Sequence, residues 1–256
     1  MLMNNILSLH IHPQNGDSYP IEVEVKRIGC SRNASRDVEA AEKYLEEFRT
    51  KGYKVHGATG VCFRSRYLLT NEDTIEVQGA QTSGEVEFVA IRHKGNIYIS
   101  TGSDHNDRSL ENLQTEMLGK VFDSAKLKQM VPAVVAKDAW RYDDIKNHWD
   151  EIVLKSFVTV SNQKTLYQEF KLSNLMDLEY YIARDTWLAE DGSVLLGGSS
   201  GGSSAVPENI YQGQSTLDGV VFPADFHFEM FDPVLDRTLS HGYDILSLEQ
   251  PGSFSL

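Results

Sequence analysis

The segment Ser83-Gly84-Glu85-Val86-Glu87-Phe88-Val89-Ala90-Ile91 contains the most informative residues of the chain, Glu85 and Glu87. A strand turns successive side chains to opposite faces, so Glu85 and Glu87 share one face, roughly 7 Å apart along the strand. Carboxylates at that spacing repel each other or hold one cation between them. The run therefore predicts a core strand with a cation site on one face.

A second acidic segment, Gly102-Ser103-Asp104-His105-Asn106-Asp107-Arg108, follows this strand. We interpret it as an acidic turn in which Asp104 closes a third side of the same site. Ligation by oxygen atoms alone suits Mg²⁺, with Mn²⁺ or Ca²⁺ as alternatives, and does not suit zinc. The sequence predicts a metal-dependent enzyme.

The composition restricts the class of protein and the kind of partner. The chain has 256 residues, of which 41% are hydrophobic and 24% charged, as expected for one globular core. The formal net charge of −13 argues against nucleic acid and against an anionic membrane surface as partners. A small anionic substrate would have to be attracted by a local cation or by the metal.

Cysteine usage and the N-terminus predict a cytoplasmic protein. Cys30 and Cys62 have no metal-binding spacing and form no disulfide framework, so we expect free thiols in a reducing compartment. The start of the chain lacks the features of a signal peptide. No apolar run approaches the roughly 20 residues that cross a bilayer.

Hydrophobic periodicity predicts a β-dominated α+β fold with an N-terminal hairpin and helix (1–55) packed on a larger unit (56–256). No internal repeat is visible. The predicted strands are 7–11, 21–25, 74–77, 85–91, 95–100, 149–160, 193–196, 222–231 and 237–245, and the predicted helices are 36–51, 108–117 and 175–187.

Several of these segments occur in an order that is known from one family. Glu85-Val86-Glu87 precedes Asp104, Arg108 lies four residues beyond Asp104, and Lys128 follows with a proline after it. The order resembles the fumarylacetoacetate hydrolase (FAH) superfamily, in which a Glu-Val-Glu strand and an Asn-Asp-Val-Ser-Ala-Arg-Asp turn provide the metal ligands. The resemblance implies that Glu85, Glu87 and Asp104 hold the ion.

The likeness continues downstream and spans roughly residues 25–246. Residues 168–176 resemble the family's Gln-Asp-Gly-Asn-Thr-Ser-Asp-Met segment, and residues 191–202 resemble its Gly-Asp-x-Ile-x-x-Gly-Thr-Pro-x-Gly strand and loop. Residues 223–225 stand where the family has Pro-Gly-Asp. The resemblance implies a mixed β-sandwich roll with a few peripheral helices, and a homodimer. It also implies that Gln168, Gly198 and Ser199 contact substrate.

The chain departs from the family pattern where the family has Gly-x-Asn-Tyr-x-x-His. Ala34 replaces the tyrosine, and Asp37 stands in the place of the histidine that helps to activate water in the C–C hydrolases. Asp37 and His105 are the candidates for the missing base. For His105 a structural role is the alternative, and for Asp37 the alternative is a favourable interaction with a helix dipole.

Two cations near the acids have two interpretations each. Arg108 either holds a substrate carboxylate with its guanidinium fork or pairs with Asp104 or Asp107. Lys128 either stabilises negative charge beside the metal or is an ordinary surface charge.

The resemblance therefore implies an enzyme that acts on a small 2-keto or β-dicarbonyl acid through a metal-stabilised enolate. Hydrolysis of a C–C bond is the first expectation, and decarboxylation, dehydration and tautomerisation are alternatives. A catalytically inactive FAH-like protein that binds a small metabolite or a partner subunit is the hypothesis from another class.

Overall fold

The computed structural model describes residues 5–50, 59–116, 124–199, 207, 209–212 and 217–248. Its strands are β1 (Ile6–Ile11), β2 (Tyr19–Glu24), β3 (Arg27–Arg32), β4 (Gly60–Arg64), β5 (Leu69–Thr70), β6 (Thr74–Val77), β7 (Thr82–Ser83), β8 (Val86–His93), β9 (Asn96–Asp104), β10 (Asn106–Asp107), β11 (Ala133–Val135), β12 (Asp138–Arg141), β13 (Val153–Val160), β14 (Gln163–Lys171), β15 (Ser193–Leu196), β16 (Asp225–Asp232) and β17 (Arg237–Ser247).

Short helices connect these strands and lie around them. The α-helices are α1 (Val38–Thr50), α2 (Arg108–Glu116), α3 (Ser124–Leu127), α4 (Tyr142–Ile145) and α5 (Leu178–Arg184), and the 3₁₀ turns are Arg66–Leu68, Lys146–Glu151, Leu172–Asn174 and Thr186–Ala189. The predicted fold class, α+β with β-structure dominant, is confirmed. No helix in the described part of the chain has the length and apolar character needed to cross a membrane.

The larger sheet has ten strands with a main order of β2-β1-β12-β9-β8-β15-β3-β4, and β11 connects β9 to β5. The predicted N-terminal hairpin is confirmed, because β1 and β2 pair antiparallel along their full lengths. It is continuous with the main sheet, since β1 also pairs parallel with β12. A second sheet of five strands has the order β14-β13-β16-β17-β6. The predicted closing pair corresponds to β16 and β17, which pair antiparallel.

The alternation along β8 separates two apolar cores. Phe88 packs with Phe226 and Phe228 of the five-stranded sheet, so this core lies between the two sheets. Val89 and Ile91 face the other way, into a cluster whose members come from strands throughout the ten-stranded sheet. The larger sheet therefore curls around a core of its own, as a roll does. Glu87 has the parity of Val89 and Ile91, which directs its carboxylate toward that second core.

Three predicted elements differ from the structure. The segment from Gly102 is an extension of β9 up to Asp104, because Ala133 and Val134 of β11 pair with Asp104 and Ser103. Residues 149–151 belong to a 3₁₀ turn, in which the Trp149 ring packs edge-on against Phe88 with ring centres 5.0 Å apart. Aromatic and aliphatic residues favour strands, but here they serve core packing from a turn.

The predicted helix 175–187 is shorter in the structure. Helix α5 begins after Asp177, whose side chain accepts a 2.8 Å hydrogen bond from the Tyr180 N–H. That capping bond fixes the first turn, so residues 175–177 stay outside the helix. Helix α1 begins at Val38, close to the predicted start. The predicted helix ends at Lys51 and Met117 lie outside the described residues, as do residues 200–202 of the predicted strand and loop.

The two cysteines are free and buried, as predicted. Cys30 of β3 and Cys62 of β4 are direct partners in the antiparallel pairing of those strands. Burial raises the pKa of both thiols, so they are held in the protonated form. Their place is therefore that of apolar side chains in the core of the roll.

Candidate metal centre

Three carboxylates converge at the end of β8 and β9. Glu85, Glu87 and Asp104 each place one ligand atom within 4.8 Å of the others. The pairing of β8 with β9 sets Glu87 opposite Gly102, and the Asp104 N–H donates to the Glu85 carbonyl at 3.0 Å. The predicted convergence is therefore present, and it results from strand register.

Glu87 is the most deeply buried of the three acids, with 2% of its surface exposed. Its Oε2 accepts a 3.0 Å hydrogen bond from the Gly198 N–H. Burial, followed by the nearby charge of Asp104, raises the pKa of Glu87 well above its ordinary value. In the absence of a cation, this carboxyl therefore favours a proton, and a bound divalent ion would take over that role.

Asp104 lies between two buried cations. Its Oδ2 accepts from the Lys128 ammonium, and its Oδ1 is 2.9 Å from Nη2 of Arg64. Burial by itself raises the pKa of Asp104, but Lys128 and Arg64 outweigh it and lower the pKa below the ordinary value. The Arg64 contact lacks hydrogen-bond geometry, so Oδ1 is a buried acceptor without a hydrogen-bond partner among the described residues.

Glu85 is held by Arg108, whose Nη2 donates to its Oε1 at 2.7 Å. The same guanidinium donates to Glu111 at 2.7 Å and to the Ser83 hydroxyl at 2.6 Å. Of the two roles left open for Arg108, the structure shows ion pairing, with Glu85 and Glu111 as partners in place of Asp104 or Asp107. Contact of Arg108 with a substrate carboxylate stays a prediction.

Lys128 lies directly after α3, and its side chain is only 13% exposed. Besides Asp104, its ammonium contacts the Asn106 side-chain oxygen at 2.8 Å. Burial alone lowers the pKa of Lys128, but Asp104 and Glu85 raise it above the ordinary value, so the side chain is a fixed positive charge. This geometry agrees with the interpretation of Lys128 as a cation beside the metal carboxylates.

The predicted substrate contacts Gln168, Gly198 and Ser199 lie together beside the acids. Gln168 accepts from the Val86 N–H at 3.0 Å, and its amide nitrogen donates to the Ser199 hydroxyl at 2.9 Å. Gly198 has φ of +98°, and a Cβ there would lie 2.3 Å from the Ala34 Cβ. A glycine is therefore required where the loop brings its N–H to Glu87.

His105 is fully buried behind Asp104. Its Nδ1 lies 2.8 Å from the Tyr243 hydroxyl, while Nε2 has no hydrogen-bond partner among the described residues. Burial, followed by the charges of Arg108 and Arg64, lowers the pKa of His105 to about 3. The ring is neutral and faces the core between the sheets, so this environment favours the structural alternative over a catalytic base.

Asp37, the other candidate for the missing base, is exposed directly before α1, and its carbonyl accepts from the Ala41 N–H at 3.0 Å. This position fits the helix-dipole alternative, and catalysis by Asp37 stays a prediction.

Beside Gly198, the buried Ser31 hydroxyl lies 2.5 Å from the Tyr181 hydroxyl. Neither of these hydroxyl residues was identified by sequence reasoning.

Arg64 is the other residue that sequence reasoning missed. It is 4% exposed, and its charge faces Asp104. One signal was available, because Arg64 alternates with Cys62 along β4 and so takes the buried parity of that strand. A charged residue at a buried position of a strand calls for an opposite charge nearby.

The donor set fits a hard divalent ion. The protein hydrogen bonds described above use Oε1 of Glu85 and Oε2 of Glu87, which leaves a second oxygen on each residue for a cation. Asp104 contributes the buried Oδ1, which lacks a hydrogen bond. Carboxylate oxygens are the ligands that Mg²⁺ and Mn²⁺ prefer.

Solved structures with the same fold include members of the FAH family. Cg1458 has a TM-score of 0.57 at 12% identity, over 91% of this chain and 83% of that chain. Yeast ynq8, an FAH family protein, has a TM-score of 0.56 at 11% identity, over 91% and 97%. A 2-keto-3-deoxy-D-arabinonate dehydratase complexed with magnesium and 2,5-dioxopentanoate has a TM-score of 0.56 at 14% identity, over 88% of this chain and 74% of that chain. The resemblance to the FAH superfamily is thus confirmed for the fold.

Sequence comparison gives the family itself. No curated protein matches this chain. The family model described as a protein of unknown function (DUF2848) matches residues 32–243, which is most of the chain. This protein therefore belongs to the DUF2848 family.

Proposed function

We propose that this chain is a divalent-metal-dependent enzyme that acts on a small 2-keto or β-dicarbonyl acid. The observation that carries the proposal is the convergence of Glu85, Glu87 and Asp104 within 4.8 Å. The fold it shares with a dehydratase that was solved with magnesium and 2,5-dioxopentanoate supports the same substrate class. When bound there, Mg²⁺ or Mn²⁺ would supply Lewis acidity toward the oxygens of such an acid.

The residues around the acids supply the remaining functions. Lys128 and Arg64 provide fixed positive charge in a buried site, where charge that develops on a reacting oxygen is stabilised most strongly. Gln168 holds the Ser199 hydroxyl in place, and Gly198 offers backbone close to Glu87. The Ser31 and Tyr181 hydroxyls form a hydrogen-bonded pair beside Gly198, and this pair could orient a substrate oxygen.

Within this class of substrate, hydrolysis of a C–C bond is our first candidate reaction, and dehydration is the second. Hydrolysis needs a group that activates water; His105 is neutral and buried behind Asp104, and Asp37 is exposed directly before α1. Dehydration has a different requirement, the removal of a proton beside a carbonyl. Decarboxylation and tautomerisation complete the set of reactions that pass through an enolate.

A second candidate function is an FAH-like protein that binds a small metabolite or a partner subunit without turnover. One observation favours it, since both oxygens of Asp104 already face cations, Lys128 and Arg64. In this alternative the cations replace the metal and neutralise the acids. A homodimer in the cytoplasm is proposed for both candidates, the dimer on the resemblance to the FAH superfamily and the compartment on the free thiols, which are typical of reducing compartments.

The two candidates are separated by an activity screen. The purified chain is stripped with a chelator and incubated with a panel of acylpyruvates, oxaloacetate and 2-keto-3-deoxy acids, before and after Mg²⁺ or Mn²⁺ is added back. The enzyme proposal expects turnover of at least one acid that needs the metal and is lost in Glu87→Gln. The matched control is Glu76→Gln, an exposed glutamate of β6. Binding of an acid without turnover at any metal concentration supports the second candidate.

A further inference from the structure

We propose a second metal site, for a zinc-class ion, formed by His10, His12 and Asp138 on the outer face of the roll. Each of the three side chains offers one ligand atom, and these atoms lie within 4.8 Å of one another. The site shares no residue with the acidic centre and is independent of the proposed enzymatic function.

Strand geometry brings the three side chains together. His10 and His12 are two residues apart along the same extended chain, so their rings lie on one face, with centres 5.0 Å apart. Asp138 opens β12, and its Cα is the register partner of His10 in the parallel pairing with β1. The acid therefore projects beside the two rings from the neighbouring strand.

The backbone holds these residues in register. The N–H groups of His10 and His12 donate to the carbonyls of Lys137 and Ala139, each at 2.8 Å. Those two carbonyls flank Asp138 in sequence, so the main chain of all three candidate ligands is fixed by one short ladder. A site built on strands in this way is ordered before an ion binds.

The His12 ring is held by a polar contact at each of its two nitrogens. Nε2 of His12 lies 2.6 Å from Oδ1 of Asp138, and its Nδ1 lies 3.0 Å from the Ser18 hydroxyl. The Nδ1 contact with Ser18 orients the ring, as supporting hydrogen bonds do for zinc-bound histidine, while Nε2 shares a proton with Asp138 when no ion is bound. A zinc-class ion would displace that proton and lie between the two atoms, which would move apart to the separation of about 3.3 Å that tetrahedral ligands have.

The charge environment permits a cation. Among the described residues, the permanently charged Lys137 and Arg237 lie near the site, and each has an acidic partner elsewhere; the His241 ring lies near Asp73 as well. Lys137 donates to Asp73 at 2.6 Å, and Nε of Arg237 faces Asp232 at 3.3 Å while its Nη1 donates to the His12 carbonyl. The side chains of His12 and Asp138 are both 40% exposed, so an ion reaches them from solvent and a water completes the coordination.

Two imidazoles and one carboxylate favour a different ion from that of the acidic centre. Nitrogen ligands suit Zn²⁺, Co²⁺ or Ni²⁺, whereas the oxygen ligands of Glu85, Glu87 and Asp104 suit Mg²⁺. An ion at the outer site would join β1 to β12 where their pairing covers only His10–Asp138 and Ile11–Ala139. We therefore assign it a structural role, fastening the N-terminal hairpin to the main sheet.

The test is a Zn²⁺ titration of the full chain by calorimetry, in millimolar Mg²⁺ so that the acidic centre is saturated. We expect one Zn²⁺ per chain, and at least about a tenfold loss of affinity in His12→Asn and in Asp138→Asn. Binding should persist in Glu87→Gln and in His93→Asn, a control histidine at the end of β8. Zinc should also raise the thermal midpoint of the unsubstituted chain but not that of His12→Asn.

A measurement on the unsubstituted chain removes dependence on the folding of variants. Co²⁺ added in place of Zn²⁺ should give the intense visible absorption of a four-coordinate site with nitrogen ligands, and Zn²⁺ should abolish it. The weak spectrum of octahedral oxygen ligation would overturn the proposal. So would the absence of Zn²⁺ binding, or Zn²⁺ binding that Glu87→Gln removes and His12→Asn leaves unchanged.

Discussion

The Arg108 guanidinium holds Glu85 by an Nη2–Oε1 contact of 2.7 Å while the arginine itself is 4% exposed. The ligand set of the proposed metal centre is therefore positioned by a buried cation. Such an arrangement fixes one carboxylate oxygen and directs the other toward the ion. The folding of the site therefore also depends on the ion pair between Arg108 and Glu85.

Arg108→Gln should destabilise the protein, because it leaves Glu85 and Glu111 near a buried site without their cation. We expect a loss of about 2–3 kcal/mol, below the range for fully buried pairs since the two acids are partly exposed. Urea unfolding measures it. Arg49→Gln is the control, because the ion pairs of Arg49 with Glu42 and Glu46 lie on the surface of α1. Equal effects of the two substitutions would contradict this account.

Glu87 should give the metal-free protein a characteristic pH dependence. The pKa of Glu87 is raised in the folded state above the ordinary value of 4.5, so the folded protein retains a proton that the unfolded chain has lost. The free energy of unfolding should then fall as the pH rises above about 4.5. Unfolding in the presence of a chelator, at a series of pH values, tests this.

Glu87→Gln removes the titrating group and should flatten that part of the profile. Added Mg²⁺ should stabilise the unsubstituted protein most at the higher pH values, where the ion replaces the proton, and should have no such effect on the variant. A flat profile for the unsubstituted chain in chelator would show that Glu87 is not a buried carboxyl with a raised pKa.

Gly198→Ala should be more damaging than an ordinary substitution at a positive φ. The new Cβ would meet Ala34 at 2.3 Å, in addition to the conformational cost. Gly16→Ala is a matched control, because its φ of +95° is similar and no atom lies within 4 Å of the added Cβ. We expect about 1–2 kcal/mol for Gly16→Ala and a larger loss for Gly198→Ala. If thermal unfolding showed similar losses of stability for Gly198→Ala and Gly16→Ala, the close approach of Gly198 to Ala34 would be refuted.

Lys128→Met should separate metal binding from turnover. The ammonium repels a divalent ion and shares Asp104 with it, so removing the charge should raise Mg²⁺ affinity by about tenfold. Turnover of any substrate found in the screen should fall, because the fixed positive charge is lost. Calorimetry and steady-state kinetics measure the two effects. The control Lys43→Met, at an exposed position of α1, should change neither quantity. A loss of Mg²⁺ affinity in Lys128→Met would contradict the placement of the Lys128 ammonium beside the metal carboxylates.

The acidic centre was predictable because its determinants are local. Glu85 and Glu87 share a face by the two-residue period of a strand, and Asp104 follows at the end of the neighbouring strand of a tight hairpin. The order of motifs then indicated the FAH fold. Local pattern was also enough for the N-terminal hairpin and for the final antiparallel pair.

The residues that the sequence did not reveal depend on long-range register. Arg64 reaches Asp104 only because β4 joins the roll through β3, and Tyr243 reaches His105 only because the second sheet packs on β9. Nothing within a window of neighbouring residues encodes these pairings. The extended conformation predicted for residues 149–151 was wrong for the same reason, since the Trp149 ring packs against Phe88 from a turn, whereas residues 153–160 form a strand as predicted.

Binding of Mn²⁺, followed by electron paramagnetic resonance, decides whether Glu85, Glu87 and Asp104 hold one divalent ion. We expect one Mn²⁺ per chain that Mg²⁺ displaces, that Glu87→Gln abolishes and that His12→Asn retains. Failure of the folded, unsubstituted chain to bind Mn²⁺ at millimolar concentration would contradict this expectation. So would full binding by Glu87→Gln.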